Sequence, residues 1–110
     1  MLRRLFGRSA FLKKMNILME VYAQSQNTSS TYKQLMELKP LIRTEGEEAW
    51  FQLNRASLLY DMKRYREAAD VIVEIQPINP EFNAQCAIVK TKILEALYSI
   101  VKMEWEYYVR

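Results

Sequence analysis

Very little in this chain stops a helix. Gly occurs only at Gly7 and Gly46, Pro only at Pro40, Pro77 and Pro80, and residues 81–110 contain neither. These are the two residues that helix interiors tolerate least. The intervals between them are rich in Leu, Ala, Glu, Lys, Met and Gln, which suit helices. The fold class that follows is all-α.

Apolar spacing divides the chain into helical segments. From Phe11 to Gln24, Leu12, Met15, Leu18, Met19 and Tyr22 recur at steps of three and four, which makes one apolar stripe. The polar run Ser25 to Ser30 favours a turn. Ser29, Ser30 or Thr31 is then placed to cap a second helix over 32–43, carrying Tyr32, Leu35, Met36, Leu38 and Leu41. Pro40 should stop or kink that helix just before it. Thr44 is a potential cap for a third helix over 47–62, with Glu45 and Glu47 where the helix dipole is positive. Its inner face is expected to hold Trp50, Leu53, Ala56, Ser57 and Tyr60. After the turn Asp61-Met62-Lys63-Arg64, a fourth helix over 65–75 shows Tyr65, Ala68, Ala69, Ile72 and Ile75, and Pro77 and Pro80 close it. Beyond Pro80, Phe82, Cys86, Val89, Ile93, Leu97 and Ile100 form one stripe, with Leu94, Val101 and Trp105 broadening it. That run reads as one long helix, or as two with an unmarked turn near Tyr98; the single helix is the expectation.

At 110 residues the chain fits one domain that buries a real core. A basic arm over 1–10 and a single helical domain over 11–110 are the expected organisation. The net charge of +3 is uneven: Arg3, Arg4, Arg8, Lys13 and Lys14 fall in the first 14 residues with no acid among them, and the other 11 basic and 13 acidic residues leave the body at −2. A nucleic-acid module carries its excess positive charge on the folded surface, so nucleic acid is not an expected partner. The single Cys86 makes no internal disulfide and suits a reducing compartment. No apolar run approaches the roughly 20 residues that span a bilayer. The expected location is cytoplasmic, with a mitochondrial one as the alternative.

Tyr32, Tyr65 and Tyr98 stand 33 residues apart, and a fixed period of this length signals a helical solenoid. The stretch from Glu47 to Pro80 adds a small residue at Ala56, an aromatic at Tyr65 after the turn, Ala68 three residues on, then Ile72, Ile75 and the closing Asn79-Pro80. This order resembles the tetratricopeptide repeat. Lys63-Arg64 stand where that family usually has Gly, Trp50 falls two places off its aromatic position, and residues 11–43 follow the pattern loosely because Pro40 comes early. The resemblance implies a short right-handed stack of antiparallel helix hairpins, capped by the long C-terminal helix. More narrowly, Gly46-Glu47-Glu48-Ala49, Gln52-Leu53, Arg55, Ser57, Leu59, Tyr65 and Ala68 resemble the small repeat-type chaperones of the type III secretion needle subunit. In that family the concave surface holds the amphipathic tail of the needle protein together with a small helical co-chaperone, and prevents premature polymerisation.

The residues argue against catalysis. There is no His, the commonest general base and metal ligand. One Cys makes no zinc site, and no Gly-rich phosphate loop exists. Glu45, Glu47 and Glu48 read as partners of a helix dipole rather than a metal cluster, and Cys86 as a buried apolar thiol. No catalytic residue, cofactor site or metal site is assigned. In repeats of this type the first helix of each pair lines the concave face, which points to Trp50, Asn54, Ser57 and Asp61 as partner contacts on one face. The set lacks the Lys-Asn clamp by which some repeat co-chaperones hold a terminal carboxylate. The expected function is a protein-binding adaptor or chaperone holding a short amphipathic helix of a partner in a groove. The alternative is a non-catalytic subunit of a larger assembly anchored by the arm. Met1 to Ser9 resembles a mitochondrial presequence and could equally contact a membrane or an acidic partner, or form a solvated helix start.

Overall fold

A computed structural model describes residues 9–109 of the chain; Met1–Arg8, which include most of the basic arm, and Arg110 lie outside the described residues. Five α-helices follow one another: α1 (Ala10–Ser25), α2 (Thr28–Glu37), α3 (Glu45–Asp61), α4 (Tyr65–Ile72) and α5 (Pro80–Tyr108), with a 3₁₀ turn at Lys39–Leu41 between α2 and α3. No strand occurs among the described residues, so the fold is all-α. Each helix packs on the next, and α3 also meets both α1 and α5. The shape is elongated, 63 × 29 × 23 Å, because α5 is 29 residues long and runs well past the body.

Short polar residues start most of these helices. Ser9 Oγ accepts from the Leu12 amide at 3.1 Å, Asn27 Oδ1 from Ser30 at 3.3 Å, Thr44 Oγ1 from Glu47 at 3.1 Å, and Asn79 Oδ1 from Phe82 at 2.8 Å. Each satisfies an amide that the helix cannot, worth about 1 kcal/mol. Asn27 corrects the expected start of the second helix. Thr28, Ser29 and Ser30 form its first turn instead of a loop, so Tyr32 is the fifth residue of α2 whereas Tyr65 is the first of α4. The 33-residue period therefore links positions of different register. The helix ends at Glu37, and Pro40 sits in the 3₁₀ turn, where its missing amide proton costs nothing.

The core comes in two blocks that share α3. Phe11, Met15, Leu35, Phe51 and Leu58 lie between α1, α2 and α3. Ala49, Leu53, Ala56, Leu59, Ala68, Ile72, Phe82 and Ile93 lie between α3, α4 and α5. Phe51 and Leu58 fall about half a turn round α3 from Leu53 and Ala56, so this helix is buried on opposite sides. The expected single inner face of Trp50, Leu53, Ala56, Ser57 and Tyr60 was too narrow: Trp50 and Tyr60 are half-buried, and Phe51 and Leu58 are fully enclosed. Ala56 and Ala68 are both fully buried, and their small side chains let α3 and α4 approach closely. On α5, Phe82 and Ile93 are buried and Cys86 and Val89 pack against the same block. Leu94, Val101 and Trp105 do not broaden that stripe; they are exposed.

The turn between α3 and α4 places Lys63 at φ 64°, in the left-handed region. A side chain there costs roughly 1–2 kcal/mol, part of which Gly returns through its greater freedom in the unfolded chain. Replacing Lys63 with Gly should therefore stabilise the fold by about 0.5–1 kcal/mol. Urea unfolding tests this: the midpoint should rise at unchanged slope, and a lower midpoint would show that Lys63 makes contacts worth more than its backbone strain.

Candidate functional site

The four residues predicted to contact a partner do share one face of α3, and three of them are joined to other helices. Trp50 is half-buried and packs edge-on against Phe82 of α5, with ring centroids 4.8 Å apart at 80°. It touches both core blocks. Asn54 Nδ2 donates to the Trp50 carbonyl at 2.9 Å and lies 3.3 Å from Met15 Sδ of α1. Ser57 is half-buried. Asp61 is exposed, and its Oδ2 accepts from Tyr22 Oη of α1 at 2.6 Å. Partial burial, with the Asp61 carboxylate at its hydroxyl, pushes the Tyr22 phenol above its ordinary pKa. The row thus ties α1, α3 and α5 together before it meets any partner.

The three acids expected at the start of the third helix have separate surroundings. Glu47 is buried, and its Oε1 accepts from the Arg43 amide at 2.7 Å while its own amide is capped by Thr44. Reciprocal capping of this kind needs Thr and Glu three residues apart. The Arg43 amide holds the Glu47 carboxyl below its ordinary pKa, outweighing burial, with Ser9 at the start of α1 and the Thr44 amide adding to the effect. One carboxylate therefore fixes the entry to α3. Glu48 accepts from Gln52 Nε2 at 2.6 Å on the outer face.

Glu45 and Glu48 line a recess on the outer side of α3. It holds about 430 Å³ and runs between α3 and α4. Ala49, Val71 and Ile75 supply apolar surface, and Glu45, Glu48, Asp70 and Glu74 bring four carboxylates to it. Arg55 is the one basic residue in the lining, and it is already engaged: its Nε donates to Tyr32 Oη at 3.1 Å and its Nη1 to Gln52 Oε1 at 3.3 Å. The recess is an electronegative groove with an apolar floor. None of Trp50, Asn54, Ser57 or Asp61 lines it. A signal for it existed in the sequence: Glu45 with Glu48, and Asp70 with Glu74, recur at helical steps on the two arms of one hairpin, each beside an apolar residue. Spacing along either helix alone does not show that the four acids converge.

Cys86 is half-buried on α5, and burial pushes its thiol pKa up, so it stays protonated at neutral pH. Among the described residues, no group of His, Cys, Asp and Glu is arranged to hold a metal ion, and no helix is long and apolar enough to cross a membrane. Comparison of the chain with protein-family models, curated proteins and solved structures gave no match.

Glu47 makes the fold sensitive to acid. A carboxyl whose pKa is depressed on folding contributes stability that is full above its unfolded value and is lost as pH falls through the folded one. Glu47→Gln should therefore be less stable than the parent at pH 7, and the gap should close as pH drops below the ordinary value of 4.5. Thermal unfolding across that range measures it; a gap that does not change with pH would mean the charge of Glu47 is not what matters.

Proposed function

We propose that this chain is a protein-binding module that receives a basic amphipathic helix or extended segment of another protein in the groove between α3 and α4. The observation that carries the reading is the pairing of an apolar floor, Ala49, Val71 and Ile75, with the carboxylates of Glu45, Glu48, Asp70 and Glu74. An amphipathic segment reads such a groove with apolar anchors at helical spacing and flanking charges. Complementary charge would speed encounter and exclude acidic competitors. The opposite face, carrying Trp50, Asn54, Ser57 and Asp61, is the competing surface; its support is that Asp61 remains exposed at the α1–α3 junction.

The sharper form of this reading is an adaptor or chaperone that masks an aggregation-prone helix, with a needle-subunit tail as client and a small helical co-chaperone as second partner. Its support is the resemblance over Gly46 to Ala68 and the exposed apolar surface at both ends of the stack, at Ile17 and Val21 on α1 and from Leu94 onward on α5. A cytoplasmic location would follow from that form. The reading as a subunit anchored by its arm turns on Met1–Arg8, outside the described residues.

A fluorescent, helix-forming peptide with one leucine face and one lysine face is the probe. The chain should bind it, and Glu48→Lys with Glu74→Lys should weaken binding at least about tenfold, as loss and reversal of close charge pairs does. Ser57→Arg with Asp61→Lys should leave affinity within about twofold, on the scale of surface changes away from a contact. If the second pair abolished binding and the first did not, the site would lie on the Trp50 face instead.

A further inference from the structure

The C-terminal half of α5 carries a second apolar stripe that no other described residue covers. Leu94, Tyr98, Val101, Trp105 and Tyr108 follow one another at steps of four, three, four and three. They are between 44% and 81% exposed. Successive residues turn the helix by about 100°, so this stripe lies roughly a quarter turn from the Phe82–Val89–Ile93 face that packs on the body. Alternating steps of three and four are those of the a and d positions of a coiled-coil seam. Monomeric proteins rarely leave a contiguous apolar patch of this kind open.

We infer that the seam is closed by α5 of a second copy of this chain, lying antiparallel about a two-fold axis between Tyr98 and Val101. Three observations select that occupant. In the stack, α1 and α3 each have a following helix on their flank, α2 and α4, while among the described residues α5 has none. A second α5 supplies it in both directions at once, which is the closed, self-complementary geometry of a symmetric dimer.

Charge then fixes the direction. With the seam at a and d, Glu95 and Lys102 both fall on the same flanking row, and antiparallel pairing about that axis sets each Glu95 against Lys102 of the other copy. The same register pairs large with small, Trp105 with Leu94 and Tyr98 with Val101, as close packing favours. A parallel pair would stack Trp105 on itself and bring the two bodies to the same level. Area is sufficient: an aromatic side chain can bury 150–250 Å². The exposed parts of Tyr98, Trp105 and Tyr108 from two copies then amount to about 600–1,000 Å², near the roughly 1,000 Å² of a specific interface before Leu94 and Val101 are counted. The surface is separate from the α3–α4 groove, so dimerisation does not depend on that reading.

Sedimentation velocity of the full chain across a concentration series tests this, with circular dichroism as the check on folding. A discrete monomer–dimer equilibrium is expected. Because the seam is exposed, Tyr98→Ala with Trp105→Ala should keep the helical signal and weaken dimerisation by about a hundredfold or more, as removal of central aromatic anchors does. Glu95→Lys alone, and Lys102→Glu alone, should each weaken it about tenfold, by loss of two ion pairs and gain of two repulsions. The double swap Glu95→Lys with Lys102→Glu should restore it. A monomer at every concentration would overturn the inference. So would an open-ended series of species, which would seat the seam on the Ile17–Val21 end of another copy, or a dimer that the double swap fails to restore.

Discussion

Burial of α3 on opposite sides is the constraint on which the rest of the molecule depends. Phe51 and Leu58 enter one core block and Leu53, Ala56 and Leu59 the other, so a single helix of 17 residues is packed by all four of the others. Neither block is large. Without α3 the α1–α2 hairpin would keep Phe11, Met15 and Leu35 exposed along one face, and α4, only eight residues long, is too short to persist alone. Ala56 and Ala68 do for the α3–α4 contact what large residues cannot, and the bulky Phe82 and Ile93 then fill the space on the α5 side.

Polar contacts set the register that apolar packing leaves loose. Tyr22 to Asp61 joins the end of α1 to the end of α3, Glu47 to the Arg43 amide fixes the beginning of α3 against the chain that leads into it, and Arg55 to Tyr32 joins α3 to α2. These contacts span both ends of α3 and its middle, so sliding α1, α2 or α3 by a turn breaks at least one of them. The price of this plan is that burial concentrates at the centre. Apolar surface is left at the outer flank of α1 and along the far half of α5, and an open groove with a charged rim remains between α3 and α4.

Much of the fold was legible because its punctuation is sparse. Thr44 ahead of Glu47 marked the start of α3, Pro40, Pro77 and Pro80 marked interruptions, and the unbroken run after Pro80 is one helix. What escaped had a physical cause in each case. A helix buried on two sides has no single stripe, so Phe51 and Leu58 fell outside the predicted inner face. Leu94, Val101 and Trp105 sit beside the packed face of α5 in projection, and periodicity alone does not say whether a neighbour reaches them. The start of α2 was hidden because Thr28, Ser29 and Ser30, which favour turns, are equally at home in a first helical turn once Asn27 caps it. Of the candidate site, the row Trp50, Asn54, Ser57 and Asp61 was correctly gathered on one face. That three of its members are tied to other helices depended on where α1 and α5 lie, which is a property of the whole fold.

Native-state hydrogen exchange measures the primacy of α3 most directly. If its two-sided burial holds the molecule together, amides from Phe51 to Leu59 should exchange only by global unfolding, with a free energy equal to the global stability measured by denaturant, while those of α1, α2 and the end of α5 open at lower cost. Amides in α3 that exchange through local openings, or more readily than those of α1 or α2, would contradict the account.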